Sequence, residues 1–314
     1  MTEPGTALLD ESGPVSATRR LLALPGGLVR TARPRQWVKN LLVVAAPAAA
    51  GRLTSPHVIA QLSMVFVLFT AAASAVYLVN DARDAEADRA HPDKCHRPVA
   101  AGRVPAGVAY AAGGVLAVLA PLAAALTCNA MTATLLTAYV VMQLAYCVKL
   151  KHVLVVDLVV VTTGFLMRAM TGGVALGIPL SRWFLITAGF GALFMVSAKR
   201  YSEALQMEGR GAATRSLLNA YTTGYLRFVW QLAAGVAVLA YCMWALESGG
   251  VSNGSLLPWR QLSMVPFIGA ILRYAVFADR GSAGAPEDVV LRDRALAVIG
   301  LAWITMYALA VADL

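Results

Sequence analysis

Long apolar runs decide what this chain can become. The stretches "LLVVAAPAAAG", "VIAQLSMVFVLFTAAASAVYLV", "GVAYAAGGVLAVLAPLAAALT" and "QLAAGVAVLAYCMWAL" are long enough, or nearly so, to cross a hydrocarbon core as helices, which takes about 20 residues. Open sheets cannot do the same, because their edge N–H and C=O groups would find no water in lipid. Only 14% of the residues are charged and 59% are hydrophobic, where soluble domains carry about 25% charged residues. The chain therefore reads as an all-α integral membrane protein. About nine transmembrane helices are expected, near residues 36–53, 57–79, 106–127, 130–148, 153–173, 183–198, 226–246, 262–278 and 295–313.

The charges fall into order on those spans. With a cytoplasmic N-terminus, Arg52, Arg182 and Arg260 lie on the outer side, and Arg168 and Arg273 fall within or near span ends. The remaining 21 of the 26 Lys and Arg residues are then cytoplasmic, as the positive-inside rule requires. The net charge of +9 is thus mostly topology, and no nucleic-acid partner is needed to explain it. The expectation is a multi-pass protein of the plasma (inner) membrane. Arg19 and Arg20 precede only "LLALPGGLV", too short and interrupted for a signal peptide. Residues 1–30 are expected to be a loose cytoplasmic tail, and residues 31–314 one membrane domain. Cys95, Cys128, Cys147 and Cys242 share no metal-type spacing, so neither a disulfide nor a metal is assigned to them. Oligomeric state is left open; a homo-oligomer is compatible with the sequence.

Three cytoplasmic links are long and polar: residues 80–105, 199–225 and 279–294. Loops on a rigid scaffold carry function, and the first two are four spans apart, which suggests a site shared between two halves. The first holds "VNDARDAEADRAHPDKCHRPVAAGRVP". A helix continuing out of the second span would stack Asn80, Asp84 and Asp88 on one face, with Asp81 beside them. Stacked carboxylates repel and ask for a cation. Oxygen ligands without thiolates favour Mg²⁺, which typically sits between one or two carboxylates and substrate phosphates. After His91 and Pro92, a turn would bring Lys94 and Arg97 over the same phosphates, a clamp for a departing diphosphate. A solvated charged loop is the bland alternative, and the alignment of the aspartates at one membrane border speaks against it.

Other candidates are weaker on their own. Lys39 in "RPRQWVKN" starts the first span, where snorkelling also accounts for it. Tyr77 lies one turn before Asn80. Lys149, Lys151 and Asp157 border the fourth and fifth spans; topology explains the lysines, and Lys151 also joins the substrate-binding set. Arg168 lies deep in "GFLMRAMTGG", and an intramembrane charge is a functional candidate by default. A bound phosphate or an aspartate would be its natural partner. "SAKRYSEALQMEGRGAATR" places Lys199, Arg200, Tyr201 and Glu203 at the exit of the sixth span. "GAPEDVVLRDR" reads as a capped surface turn and helix start.

"NDARDAEADRAHPDKCHRP" resembles the first Asp-rich motif, NDxxDxxxDxxxxxxxxRP, of the UbiA superfamily of membrane prenyltransferases. The resemblance implies a helical bundle with a cytoplasm-facing cavity. It departs at the second motif, where members carry DxxxD and this sequence has "KRYSEALQ", one carboxylate with two cations. "YLVNDARDAEADRAHP", "MRAMTGGVA", "AKRYSEAL" and "LRYAV" followed by "AGAPEDVVLRDR" resemble a branch of the superfamily in which the lipid is the acceptor. That branch implies transfer of phosphoribose from 5-phosphoribosyl 1-diphosphate to decaprenyl phosphate, toward cell-wall arabinan; attack from the face opposite the diphosphate predicts inversion at C1. Asn80 and Asp84, with Asp81 and Asp88 nearby, would bind Mg²⁺. Asp81, Asp84, Asp88, Lys94, Arg97 and Arg168 would be the catalytic set. Lys39, Tyr77, Asn80, Lys94, Arg97, Lys151, Arg168, Lys199, Arg200, Tyr201 and Glu203 would bind the substrates. A prenyl diphosphate donor is the alternative within the superfamily. A secondary transporter is the alternative outside it, with Gly172 and Gly173 permitting a broken helix.

Overall fold

The computed structural model describes residues 24–53, 55–208, 220–247 and 257–312. Eight long helices carry the architecture: α1 (Pro56–Arg83), α2 (Ala106–Thr127), α3 (Ala130–Val148), α4 (Val156–Ala175), α5 (Arg182–Glu208), α6 (Thr223–Glu247), α7 (Met264–Asp279) and α8 (Arg294–Val311). No strand occurs among the described residues. Among the described residues seven helices are long and apolar enough to cross a membrane, one of them being α7 counted from Trp259. The protein is a multi-pass membrane protein.

The other two expected spans take different forms. The first, 36–53, is an 11-residue 3-10 helix, Pro34–Val44, that runs into the short helix Ala45–Ala49. Pro34 opens it without an N–H to give,. Hydrophobic length alone does not distinguish such a segment from a regular helix. The sixth, 183–198, is helical, but α5 continues to Glu208, so the charged residues after Ala198 lie on helix rather than on a loop. Its apolar run between Arg182 and Lys199 is short.

Sequence chemistry explains the helix ends. Pro56 begins α1, where its missing N–H costs nothing. Asn129 caps α3 by accepting from the Thr132 N–H at 2.8 Å, while its amide donates to Val174 O and Ala175 O at the end of α4. One side chain thus satisfies backbone groups of two helix ends. Asp293 caps α8 through the Leu296 N–H at 2.7 Å, in keeping with the helix start expected of "GAPEDVVLRDR". The Arg273 guanidinium hydrogen-bonded to Asp293 holds its carboxyl below the usual carboxylate range.

Among the described residues packing divides between two large apolar cores and a small one around Val99 and Val104. One centres on α1, with Phe69, Ala72 and Ala73 against Leu136 and Tyr139 of α3. The other joins Phe194 and Tyr201 of α5 to Leu226 and Trp230 of α6 and Tyr274 of α7. Of the apolar window of α1, 61% is buried, against 11% for α8, so α1 is central and α8 faces outward. Small residues permit the closest approaches. A Cβ on Gly172 would fall 1.9 Å from Val43 O, so this glycine seats the 34–44 segment on α4. Helix α4 runs unbroken through Gly172 and Gly173, which removes the broken helix that a transporter reading would use.

Residues 24–31, the end of the expected loose tail, are helical and pack through Leu28 on Val99 and Val104. Residues 1–23, the rest of that tail, and residues 209–219 of the second long link lie outside the described residues. The four cysteines are free.

Candidate active site

The antiparallel order of the helices gathers the links 84–105, 149–155 and 280–293 at one end of the bundle, together with the last turns of α5. Gln206 of α5 donates to Gly281 O at 3.0 Å, and the Ala283 N–H donates to Ser202 Oγ at 3.1 Å, tying two of these segments.

The Asp-rich motif starts on α1 and leaves it. Helix α1 ends at Arg83, Asp84 interrupts, and Ala85–Arg89 resumes as one short helix. Backbone hydrogen bonds still join Asp84 N–H to Asn80 O at 2.9 Å and Asp88 N–H to Asp84 O at 2.8 Å, so the four-residue spacing survives the interruption. The environments do not match. Asp81 and Asp88 are buried at 2% and 4% exposure, whereas Asp84 is half-buried.

Cations reach these carboxylates from three directions. Arg33 donates to Asp81 Oδ1 at 2.5 Å and lies over the Tyr77 ring at 5.0 Å. Arg97, returned by the turn after Pro92 and the 3-10 turn Lys94–His96, bridges Asp81 at 3.3 Å and Asp88 at 2.7 Å. Lys151 Nζ meets both Asp84 oxygens, at 2.8 and 2.9 Å. Arg97 therefore faces the carboxylates of its own motif, while Lys94 makes no ion pair among the described residues. Arg33 was not singled out from the sequence. Its only local signal is position before Pro34, and its backbone is left-handed, with φ 56°.

A second polar cluster joins α3, α4 and α5. Asp157, in the first turn of α4, accepts from the Tyr146 hydroxyl and from Arg200 Nε and Nη2 at 3.2 and 3.3 Å. Arg200 also donates to Glu203 at 3.1 Å, and Lys199 lies 3.8 Å from Glu203. The i,i+3 and i,i+4 spacings follow from α5 continuing as helix. Tyr201 points the other way: it is 1% exposed in the α5–α6 core, and its hydroxyl accepts from Arg227 at 2.5 and 3.1 Å.

Arg168 has a third setting. Its side chain donates to Asn40 Oδ1 at 3.0 Å, Gly164 O at 2.9 Å and the Tyr139 hydroxyl at 2.7 Å, and Asn40 donates on to Thr70. The rings of Phe69, Tyr139 and Phe165 surround the guanidinium. The partners found are neutral acceptors and aromatic faces, which offset the cost of the buried charge. Through Asn40, Arg168 locks the 3-10 segment that also carries Lys39.

The donor set suits a hard divalent cation in kind. Asn80 and Asp84 offer only oxygen, one turn apart. Among the described residues no group of three or more His, Cys, Asp or Glu side chains is arranged to hold a metal.

Fold and site together define a polytopic helical membrane protein with a half-open carboxylate-and-cation site at one end. The chain belongs to the UbiA prenyltransferase family, whose model matches residues 41–299. It is 52% identical over 293 residues to a decaprenyl-phosphate phosphoribosyltransferase of Mycobacterium tuberculosis, covering 92% of this chain and 95% of that one. A protein of the same name from Corynebacterium glutamicum is 45% identical over 313 residues, covering 99% and 93%. Among solved structures, a UbiA homolog from Archaeoglobus fulgidus bound to GPP and Mg²⁺ superposes with a TM-score of 0.67 at 15% identity, over 92% of this chain and all of that one. A digeranylgeranylglyceryl phosphate synthase gives 0.65 at 16% identity, over 94% of this chain and all of that one. These two likenesses bear on the fold.

Proposed function

We propose that the protein transfers the 5-phosphoribosyl group from 5-phosphoribosyl 1-diphosphate to decaprenyl phosphate, releasing diphosphate. The observation that carries this is the likeness, along nearly the whole of both chains, to relatives named decaprenyl-phosphate phosphoribosyltransferase. The site supports it. Asp84 is half-buried and held by one lysine, so a metal-bound diphosphate can compete for it, while Arg200 of the second cluster is already neutralised by Asp157 and Glu203.

Asn80 and Asp84 would hold Mg²⁺, which when bound neutralises charge on the leaving diphosphate. Asp81 and Asp88 fix Arg33 and Arg97 around it. Lys151 and Lys94 supply cationic support to the diphosphate, and Lys39, Tyr77 and Lys199 line the approach of the two phosphates. Arg168, Arg200, Tyr201 and Glu203 position the elements that carry them. A lipid phosphate oxygen attacks ribose C1 from the face opposite the diphosphate. The C1–O bond to diphosphate breaks as the new one forms, the electron pair leaving with diphosphate, and C1 inverts. A phosphate monoester is ionised near neutral pH, so no general base is needed. Positioning and charge stabilisation do the catalytic work. This charged end faces the cytoplasm of the plasma membrane, as the Lys and Arg bias of its links requires, and the product serves cell-wall arabinan.

The test is a membrane assay with radiolabelled 5-phosphoribosyl 1-diphosphate and decaprenyl phosphate, following label into the organic phase. Transfer should appear with Mg²⁺ and vanish on chelation. Active protein that labels no lipid here, yet turns over a prenyl diphosphate, would overturn the proposal.

A further inference from the structure

Lys151 combines a fixed backbone with a flexible side chain. The 3-10 turn Leu150–His152 follows α3 after one residue. The link ends at Val155, whose φ of 66° with ψ of −45° is a strained conformation for a β-branched residue. Tyr221, just before α6, holds it there: its hydroxyl accepts the Val155 N–H at 2.7 Å. From this anchored link the lysine reaches Asp84, 67 residues away in sequence, and its ammonium takes both carboxylate oxygens.

The other cations at this end are of a different kind. Arg33 and Arg97 are planar forks, and Arg97 spans two buried aspartates at once. Lysine is a point charge on a flexible four-carbon stem, its partner is the most exposed of the three motif aspartates, and the Asp84 pair is its only ion pair among the described residues. An ammonium and a divalent cation repel each other at one carboxylate. A diphosphate relieves that repulsion, because it brings negative oxygens for both.

We infer that Lys151 and the divalent cation are alternative counter-ions of Asp84, exchanged when the donor enters. In the donor-free protein the ammonium holds Asp84 and keeps metal affinity low. When metal and diphosphate arrive together, the ammonium moves from Asp84 to the diphosphate oxygens. The site then gains its metal and its second cation in one event, and only when there is a leaving group to stabilise. This rests on the reading that Asp84 holds the metal.

The experiment is a Mn²⁺ titration of the full chain in nanodiscs without donor, followed by electron paramagnetic resonance. Lys151→Gln should bind Mn²⁺ about tenfold more tightly than wild type, as removal of one adjacent positive charge implies, and Lys151→Arg should not. Equal or weaker Mn²⁺ binding by folded Lys151→Gln overturns the exchange. Asp84→Asn separates the two ideas: if it binds Mn²⁺ like wild type, the metal assignment fails, whereas if it loses Mn²⁺ and Lys151→Gln gains none, only the exchange fails. A second measurement needs no variant. Acetylation of Lys151 by acetic anhydride, scored against Lys149 by mass spectrometry, should rise several-fold at saturating Mn²⁺; unchanged or lower labelling overturns the inference.

Discussion

Asp84 and Asp157 are both aspartates paired with a cation at the charged end of the bundle, yet their surroundings differ. The Asp84 side chain is 26% exposed and meets one lysine; that of Asp157 is 3% exposed and is gripped by Arg200 and Tyr146. A half-open carboxylate with one mobile partner can change partners during a reaction. A sealed carboxylate with rigid donors on both oxygens cannot do so without loss of structure, because an unpaired buried charge is costly. The same ion-pair chemistry thus leaves one carboxylate within reach of a ligand and seals the other between α4 and α5.

Substitutions can break this contrast. The largest effect is expected from Asp84→Ala, which should lower Mg²⁺-dependent label transfer by about 1000-fold or more with the thermal midpoint unchanged; persistent turnover would remove Asp84 from the chemistry. Asp157→Ala should do the reverse, costing about 1–3 kcal/mol of stability by leaving buried Arg200 with Glu203 as its one carboxylate, read as a lower thermal midpoint or loss of monodisperse protein. Lost turnover at an unchanged midpoint would move Asp157 into the reaction. Arg168→Ala sharpens the same division from inside the membrane. It leaves Asn40 and Tyr139 without their donor, at about 1–3 kcal/mol, and should reduce activity by loosening the 34–44 segment. Arg182→Ala, which breaks an exposed pair with Glu247 at the opposite end, should change neither activity nor midpoint; equal mild effects from both arginines would take Arg168 out of the site's support. The smallest effect, about 0.5–1.5 kcal/mol, is expected of Tyr221→Phe, which removes the acceptor for Val155 N–H. A selective rise in the KM for the donor would tie that loss to Lys151.

Much of this could be read before any coordinates. Seven of the expected spans lie in helices of membrane-crossing length, because apolar length is a local property. The Asn80, Asp84 and Asp88 spacing was legible for the same reason. The 3-10 form of Pro34–Val44 was not, since it is set together with Gly172 and Asn40, whose partners lie on α4 and α1. Nor was the extension of α5, because "KRYSEALQ" is too polar for a span and reads as a link.

By itself the sequence determined the class of protein, the order of its helices and the place of the acidic motif, since composition and short-range spacing act within a few turns of chain. Only the tertiary structure decided which cation answers which carboxylate. Arg33 with Asp81, Lys151 with Asp84 and Arg168 with Asn40 join residues 48, 67 and 128 positions apart. Pairing across such separations depends on how helices pack, and a sequence carries no local signal of that.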